Sequence, residues 1–568
     1  MTQLYSQMHE RLKTLLASRL NLWILLWAGI AFIYFPAWKG GFEQDFHGWL
    51  QMYTDYPFWD AINRKFAGIN SFYQLTQLQL YGWTILFGTH PLPWFLLFTA
   101  LHALNGLLLF RLTRNLLDFF DLPHSNWIAL ISCLFFLFNP GQTEVVLWKA
   151  CYHYLIGIQI ILWVLIWTLR YIQTGHAKWA WMANLLMLLA TLTLETWYTI
   201  PWLILVLAVT CRRGLLITAK QFRDVFRHLI GPMFLIFGSY LLIYHARFGQ
   251  WVAHSAYRQP DDHNLRMLSG RIWSYEFHLL ALGRFFPEHY RQWFYTHISE
   301  NGIATLFLVL ILIGLAIFFL VRLPRSGPVL RVCCLFSGWA LIALIVVIHF
   351  LPESLMYIRN DRYLYYSALF QSVILTVLIF QILRQRARLR MILISLLLCI
   401  YLGLTSFLVW QWRSSNKVFW GIQDNFHWNN SPQVLLLNLP GVYNGAGLIL
   451  ASIPDDFSEH LRIFYHLPNR HNIYDVAGYN MTHLWDGAHV QVLDSLHLKV
   501  TLNQWGTWWW YGGLGAVDYS NEIYQVHFTD PGHEYLLSLK QRPPGQVILY
   551  NVGTSWKQVD FSNHGEQW

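Results

Sequence analysis

The chain alternates long apolar runs with shorter polar stretches. Runs near 21–37, 94–112, 126–138, 154–170, 179–194, 198–211, 229–245, 302–321, 329–350, 364–382 and 391–410 carry few charges. A helix that crosses a bilayer needs about 20 mostly apolar residues, so the pattern predicts about eleven transmembrane helices. Residues 1–412 are therefore expected to form an all-α polytopic membrane bundle. Past Trp410 the pattern changes: QVLLLNLPGVYNGAGLILASIP, HVQVLDSLHLKVTL, NEIYQVHF, EYLLSL and QVILY are short buried or alternating segments broken by Pro, Gly and Asn. Such segments read as strands and turns, predicting a small β or α/β domain over 413–568.

Between the runs, 40–93 and 247–300 are too long to be simple turns. FYQLTQLQLYGWTILFG and DDHNLRMLSGRIWSYEFHLLALGRFF mix aromatic and aliphatic residues with polar ones, the pattern of amphipathic helices lying along a membrane surface.

Composition agrees, with 55% hydrophobic and only 12% charged residues. The net charge of +9 comes largely from basic clusters at Arg111 and Arg114, Arg170 and Lys178, Arg212 to Arg227, Arg322 to Arg331, and RQRARLR. These fall between alternate spans, as the positive-inside rule requires, so the charge reads as a topology signal rather than a nucleic-acid-binding face. It predicts an integral, multi-pass protein of a plasma or inner membrane, with a cytoplasmic N-terminus and an extracytoplasmic C-terminal domain. The N-terminal segment with Arg11, Lys13 and Arg19 shows no small-residue cleavage site and is expected to stay attached. All six cysteines lie in or beside spans and form no CxxC pattern, so neither a disulfide framework nor a zinc site is expected.

Ionisable residues at the predicted extracytoplasmic ends of spans are costly there unless paired or used. GGFEQDFHGW holds Glu43, Asp45 and His47; NPGQTEVVLWKACYHYLIG holds Glu144, Lys149 and His153; HFLPESLMYIRNDRYLYYS holds Glu353, Arg359, Asp361, Arg362, Tyr363, Tyr365 and Tyr366; and LTLETWYTIPW holds Glu195. Carboxylates and cations converging there suit a cleft for an anionic lipid-linked substrate, with arginine forking onto phosphate. Each residue also has a plainer reading. Asp45 caps an interfacial helix; Glu43 and His47 are solvated loop residues; Glu144 and Lys149 pair with each other; His102 is a packing histidine; Arg362 is a snorkelling anchor; Glu195 takes a structural partner such as Lys149. In NQWGTWWWYGG, Trp508, Trp509 and Trp510 either stack on sugar rings or anchor the domain at the headgroups.

The order of these motifs resembles the GT-C superfamily of polytopic glycosyltransferases, especially the protein O-mannosyltransferase-like and transmembrane mannosyltransferase-like branches. The resemblance covers roughly 20–410: QDFH with Asp45 after the first span, LFG at Leu86 to Gly88, LHALNGLLLF with His102 and Asn105, the Asn139, Pro140, Glu144, Val146, Trp148 series, LETWYTIPW with Glu195 and Pro201, and RYLYYS from Arg362. Three positions depart from the pattern. Gln44 replaces the second acid of a pair, Tyr73-Gln74 replaces an Arg-Pro, and Tyr366 replaces a final Pro. The resemblance implies transfer of a monosaccharide from a polyprenyl-phosphate carrier to an acceptor hydroxyl on the extracytoplasmic side, with inversion. Asp45 is then the expected general base. Arg362, with Arg359 and Lys149, is expected to stabilise the leaving phosphate. Glu144, Glu195, His102, Tyr363 and Tyr365 are expected to line the substrates. A divalent metal is neither required nor excluded, and the acceptor is a glycan, lipid or protein. A transporter or flippase for lipid-linked glycans, and a non-catalytic glycan-assembly protein, remain the alternatives.

Overall fold

In the computed structural model the described residues run from 19 to 567. They exclude 44, 65–71, 194, 214–215, 252–264, 281, 295–296, 298–300, 318–325, 348–360, 429, 445, 450–455, 467–471, 504–508, 511–512, 515–517, 531 and 563–565. Fifteen principal helices are labelled in chain order: α1 Arg19–Tyr34, α2 Asp45–Asp55, α3 Gln74–Phe87, α4 Pro91–Phe119, α5 Ser125–Leu137, α6 Tyr152–Thr174, α7 Ala177–Ala190, α8 Ile200–Arg213, α9 Gly231–Phe248, α10 Leu265–Leu280, α11 Gly302–Ile317, α12 Pro328–Ile345, α13 Tyr365–Ile382, α14 Ala387–Asp424 and α15 Asp456–Tyr465.

Helix occupies each of the eleven apolar windows, but not every helix is long enough to span. Seven helical stretches are long and apolar enough to cross a membrane, or eight if a bent pair counts as one span. The described residues thus account for seven or eight of the eleven expected spans. The 14-residue helices α7 and α8 explain part of the difference: at 1.5 Å per residue they reach about 21 Å, short of a hydrocarbon core of about 30 Å. The bent pair is α5 followed by Pro140–Leu147, at 57°. Pro140 lacks an amide hydrogen and breaks the ladder, and the Asn139 side chain caps the new turn by accepting from the Gly141 amide at 2.9 Å.

The expected domain boundary at 412/413 falls inside α14, which runs on for several turns to Asp424. Among the described residues beyond it lie fifteen short strands: β1 Gln433–Leu436, β2 Leu439–Tyr443, β3 Ala446–Gly447, β4 Ile473–Asp475, β5 Ala477–Met481, β6 His489–Val492, β7 His497–Thr501, β8 Trp509–Trp510, β9 Gly513–Leu514, β10 Tyr519–Ser520, β11 Tyr524–Asp530, β12 Glu534–Leu539, β13 Gln546–Val552, β14 Ser555–Gln558 and β15 Glu566–Gln567. They form sheets ordered β14-β13-β1-β4, β10-β11-β12-β7-β6-β15 and β3-β2-β5-β8-β9. Strand β1 pairs in parallel with both β13 and β4 and is buried along most of its length, as a central parallel strand should be. Strands β11 and β12 alternate buried with more exposed positions, the mark of a one-sided antiparallel sheet. Among the bonds that tie the domain to α14, the Trp556 indole donates to the Ile422 carbonyl at 2.8 Å, Ser415 donates to the Gly447 carbonyl at 3.0 Å, and the Tyr465 hydroxyl donates to Asp424 at 2.5 Å.

Candidate active site at the C-terminal-domain end of the bundle

The chain leaves α1 through a turn with almost no spare room. Gly41 has a φ of +94°, and a Cβ there would lie 1.9 Å from the Leu147 carbonyl oxygen. Only glycine meets both demands. The Gly41 carbonyl accepts from the Lys149 amide at 2.9 Å, and the Glu43 carbonyl accepts from the Trp148 indole at 3.0 Å. On the opposite side Asn416 and Trp420 of α14 donate to the carbonyls of Ala37 and Lys39, at 3.2 and 3.1 Å. Two segments far apart in sequence therefore aim the turn that delivers Asp45.

Asp45 opens α2, where the helix dipole favours a negative charge. Its side chain is solvent-accessible, yet protein surrounds it on most sides. That desolvation raises its carboxyl above the usual range, while the nearby Arg362 guanidinium pulls it down. The carboxylate is thus reachable from solvent and more basic than an ordinary aspartate.

Arg362 is held from several sides. Its Nη1 donates to Glu144 Oε1 at 2.5 Å and its backbone amide donates to Glu144 Oε2 at 3.0 Å. The guanidinium lies 4.9 Å from the Trp148 ring centre and 4.8 Å from that of Tyr363, whose hydroxyl accepts from Nη2 at 3.3 Å. The break at Pro140 brings Glu144 to this point, so the NP segment acts through geometry. A second ion pair adjoins it, between Arg284 and Asp361. The sequence offered little warning of Arg284, which stands in the aromatic run LALGRFF of the middle loop.

Other expected site residues lie elsewhere. Lys149 does not pair with Glu144 or Glu195. Its ammonium donates to the Leu147 carbonyl at 2.9 Å, lies 5.0 Å from the Phe98 ring centre and interacts electrostatically with Glu43. Glu43 and His47 are not solvated loop residues, being 0% and 2% exposed. Burial pushes the Glu43 carboxyl up to about 7, against the pull of its own amide, Lys149 and the Gly41 amide. Glu195 accepts from the Tyr73 hydroxyl at 2.5 Å, with Tyr198, Tyr240 and Tyr244 around it. Burial raises its carboxyl to about 7. Tyr73 thus meets the Glu195 carboxyl with an uncharged hydroxyl donor.

His102 and Tyr365 were expected to touch substrate and instead satisfy each other inside the bundle. His102 Nδ1 is 2.9 Å from the Tyr365 hydroxyl and Nε2 is 3.1 Å from the Leu137 carbonyl, while Asn105 donates to the same hydroxyl at 3.0 Å. Both residues are fully buried. Arg359 and Trp508 lie outside the described residues. Trp509 and Trp510 form β8, paired with β5 and β9.

The residues brought together are therefore an accessible, basic carboxylate at Asp45 and a braced guanidinium at Arg362, with Glu144, Tyr363, Asp361 and Arg284 behind it. Such a pair can accept a proton at one point and stabilise developing negative charge at another. Among the described residues no group of three or more His, Cys, Asp or Glu side chains is arranged to hold a metal ion. No protein-family model matches the chain, and no curated protein matches it in sequence.

Proposed function

We propose that this protein is a polytopic membrane glycosyltransferase of the GT-C type. It moves a monosaccharide from a polyprenyl-phosphate carrier to an acceptor hydroxyl on the extracytoplasmic side of a plasma or inner membrane. The observation that carries the reading is the accessible Asp45 carboxylate within the field of Arg362, itself fixed by Glu144 through side chain and backbone.

The acceptor oxygen gives its proton to the Asp45 carboxylate as it attacks the anomeric carbon from the face opposite the phosphate. The bond from that carbon to the phosphate oxygen breaks, its electron pair stays on the phosphate, and the configuration inverts. Arg362 meets the growing charge with a planar fork that needs little reorganisation, because Glu144 and Trp148 already hold it. A raised Asp45 pKa suits this task, since a base works best when its pKa lies nearer the operating pH. Purified protein in lipid nanodiscs, given defined polyprenyl-phosphate sugars and an acceptor mixture, should release free carrier phosphate. Asp45→Asn should not.

A further inference from the structure

The C-terminal domain reaches back to the helix that carries Asp45, and it does so at two points. Helix α15 presents His460 and Arg462 to α2. The His460 ring stacks on that of His47, two residues past Asp45, with centroids 4.0 Å apart and planes 25° from parallel. Arg462 forks onto Asp55, the last residue of α2, with Nη1 to Oδ1 at 2.8 Å and Nη2 to Oδ2 at 2.7 Å. Its Nε donates to Glu459 at 2.7 Å, which presets the fork. Phe464 fills the space behind, 5.6 Å from Phe42 in the exit turn and 5.4 Å from Trp420 of α14.

The other face of α15 is fixed to its own domain. Phe457 packs edge-on against Phe426 and Trp556, at 5.0 and 5.5 Å, and its amide donates to Asp475 of β4 at 3.3 Å. The helix is thus a rigid strut between the sheets and α2. One contact near each end of a helix fixes tilt as well as position, which neither contact does alone.

We propose that the C-terminal domain is a positioning module, with His460 and Arg462 as positioning residues that set the place and tilt of α2 and so aim Asp45. The proposal rests on the reading of Asp45 as the acting base. A misplacement of about 1 Å at a reacting group can cost on the order of a hundredfold in rate without loss of binding, so the expected signature is a fall in turnover at nearly constant KM. Neither residue touches the reacting atoms.

The test uses the full-length protein in nanodiscs and two readouts. Amide hydrogen exchange reports on residues 46–55 directly, whatever the reaction is. In His460→Ala/Arg462→Ala, exchange over α2 should rise about tenfold or more while β11, β12 and α13 keep their protection. Release of carrier phosphate from a synthetic polyprenyl-phosphate hexose should show kcat down about tenfold or more with KM within about threefold. The swapped pair Arg462→Asp/Asp55→Arg, with His460 retained, should recover much of both.

Unchanged exchange over α2 in the double variant would overturn the proposal whatever the activity did. So would loss of protection throughout β11 and β12, which would make the contacts part of domain folding only, or a rise in KM with kcat intact. Full activity of Asp45→Asn would sink the functional reading separately, leaving the exchange result to report on the strut itself.

Discussion

Glu144 holds Arg362 by both its guanidinium and its backbone amide, across 218 positions of sequence. A single carboxylate thus fixes where the cation points and where its chain turns into α13. Glu144→Ala leaves a largely buried guanidinium without its counter-ion, and breaking such a pair costs about 3 kcal/mol or more. Glu144→Gln keeps an acceptor for the amide and should lose less stability, while turnover falls in both. Thermal unfolding in nanodiscs with parallel turnover measurements separates the two effects.

Asp45 should limit the rate from the acid side. In the proposed reaction the base form is the active one, so kcat/KM should rise with pH through a pKa above that of an ordinary aspartate. Arg362 lowers that pKa, so Arg362→Met should move the acid limb of the profile to higher pH as well as reducing kcat. A limb that stays in place would detach the two residues from one another.

The same raised pKa carries a stability cost. Where the folded pKa exceeds the unfolded one, the folded state binds more protons between the two values, and stability falls as pH rises through that window. At neutral pH the wild type bears this cost, so Asp45→Asn should be inactive yet more stable than the wild type. Equal or lower stability in the Asn variant would argue that Asp45 is a structural cap.

Gly41 should tolerate no side chain. A Cβ would collide with the Leu147 carbonyl and hold a backbone of positive φ, so Gly41→Ala should cost at least about 1–3 kcal/mol and displace the exit turn. Gly29, whose Cβ meets nothing within 4 Å, serves as the control. Expression and monodispersity of the two alanine variants should differ sharply.

The strut between α15 and α2 should weaken in acid. Burial, with His47 adding to it, holds the His460 ring well below its usual 6.5. A histidine depressed in this way binds its proton more readily when the helix is undocked, so docking is intact above about pH 6.5 and is lost as pH falls below it. The titratable group that faces it is His47, while Glu459 and Arg462 stand beside it on α15. Exchange over residues 46–55, corrected for its intrinsic pH dependence, should rise between pH 7.5 and pH 5, and His460→Phe should remove most of that rise.

Local pattern was enough to find the helices and the β-rich tail, because burial period and turn residues are written residue by residue. Apolar runs such as Ala177–Ala190 read as spans and are helical but short. Local pattern also found the polar clusters at the bundle end without finding their pairing. Nearness in sequence suggests Lys149 as a partner for Glu144, whereas folding gives it Arg362. Glu195 is surrounded by Tyr73, Tyr240 and Tyr244 from two other segments, together with Tyr198 of its own. Glu43 and His47 look solvated in a loop, and His47 becomes buried through a helix more than 400 positions away that carries His460. Nothing local to GGFEQDFHGW encodes that cover.

The central claim is that Asp45 takes the acceptor proton during sugar transfer. Its most direct test is quantitation of carrier phosphate and glycosylated acceptor formed from a panel of polyprenyl-phosphate sugars by wild-type protein and by Asp45→Asn, in the same nanodiscs. The account predicts stoichiometric release and transfer by the wild type, and a loss of at least about a hundredfold in the variant with its fold intact. Transfer at the wild-type rate by Asp45→Asn would contradict it.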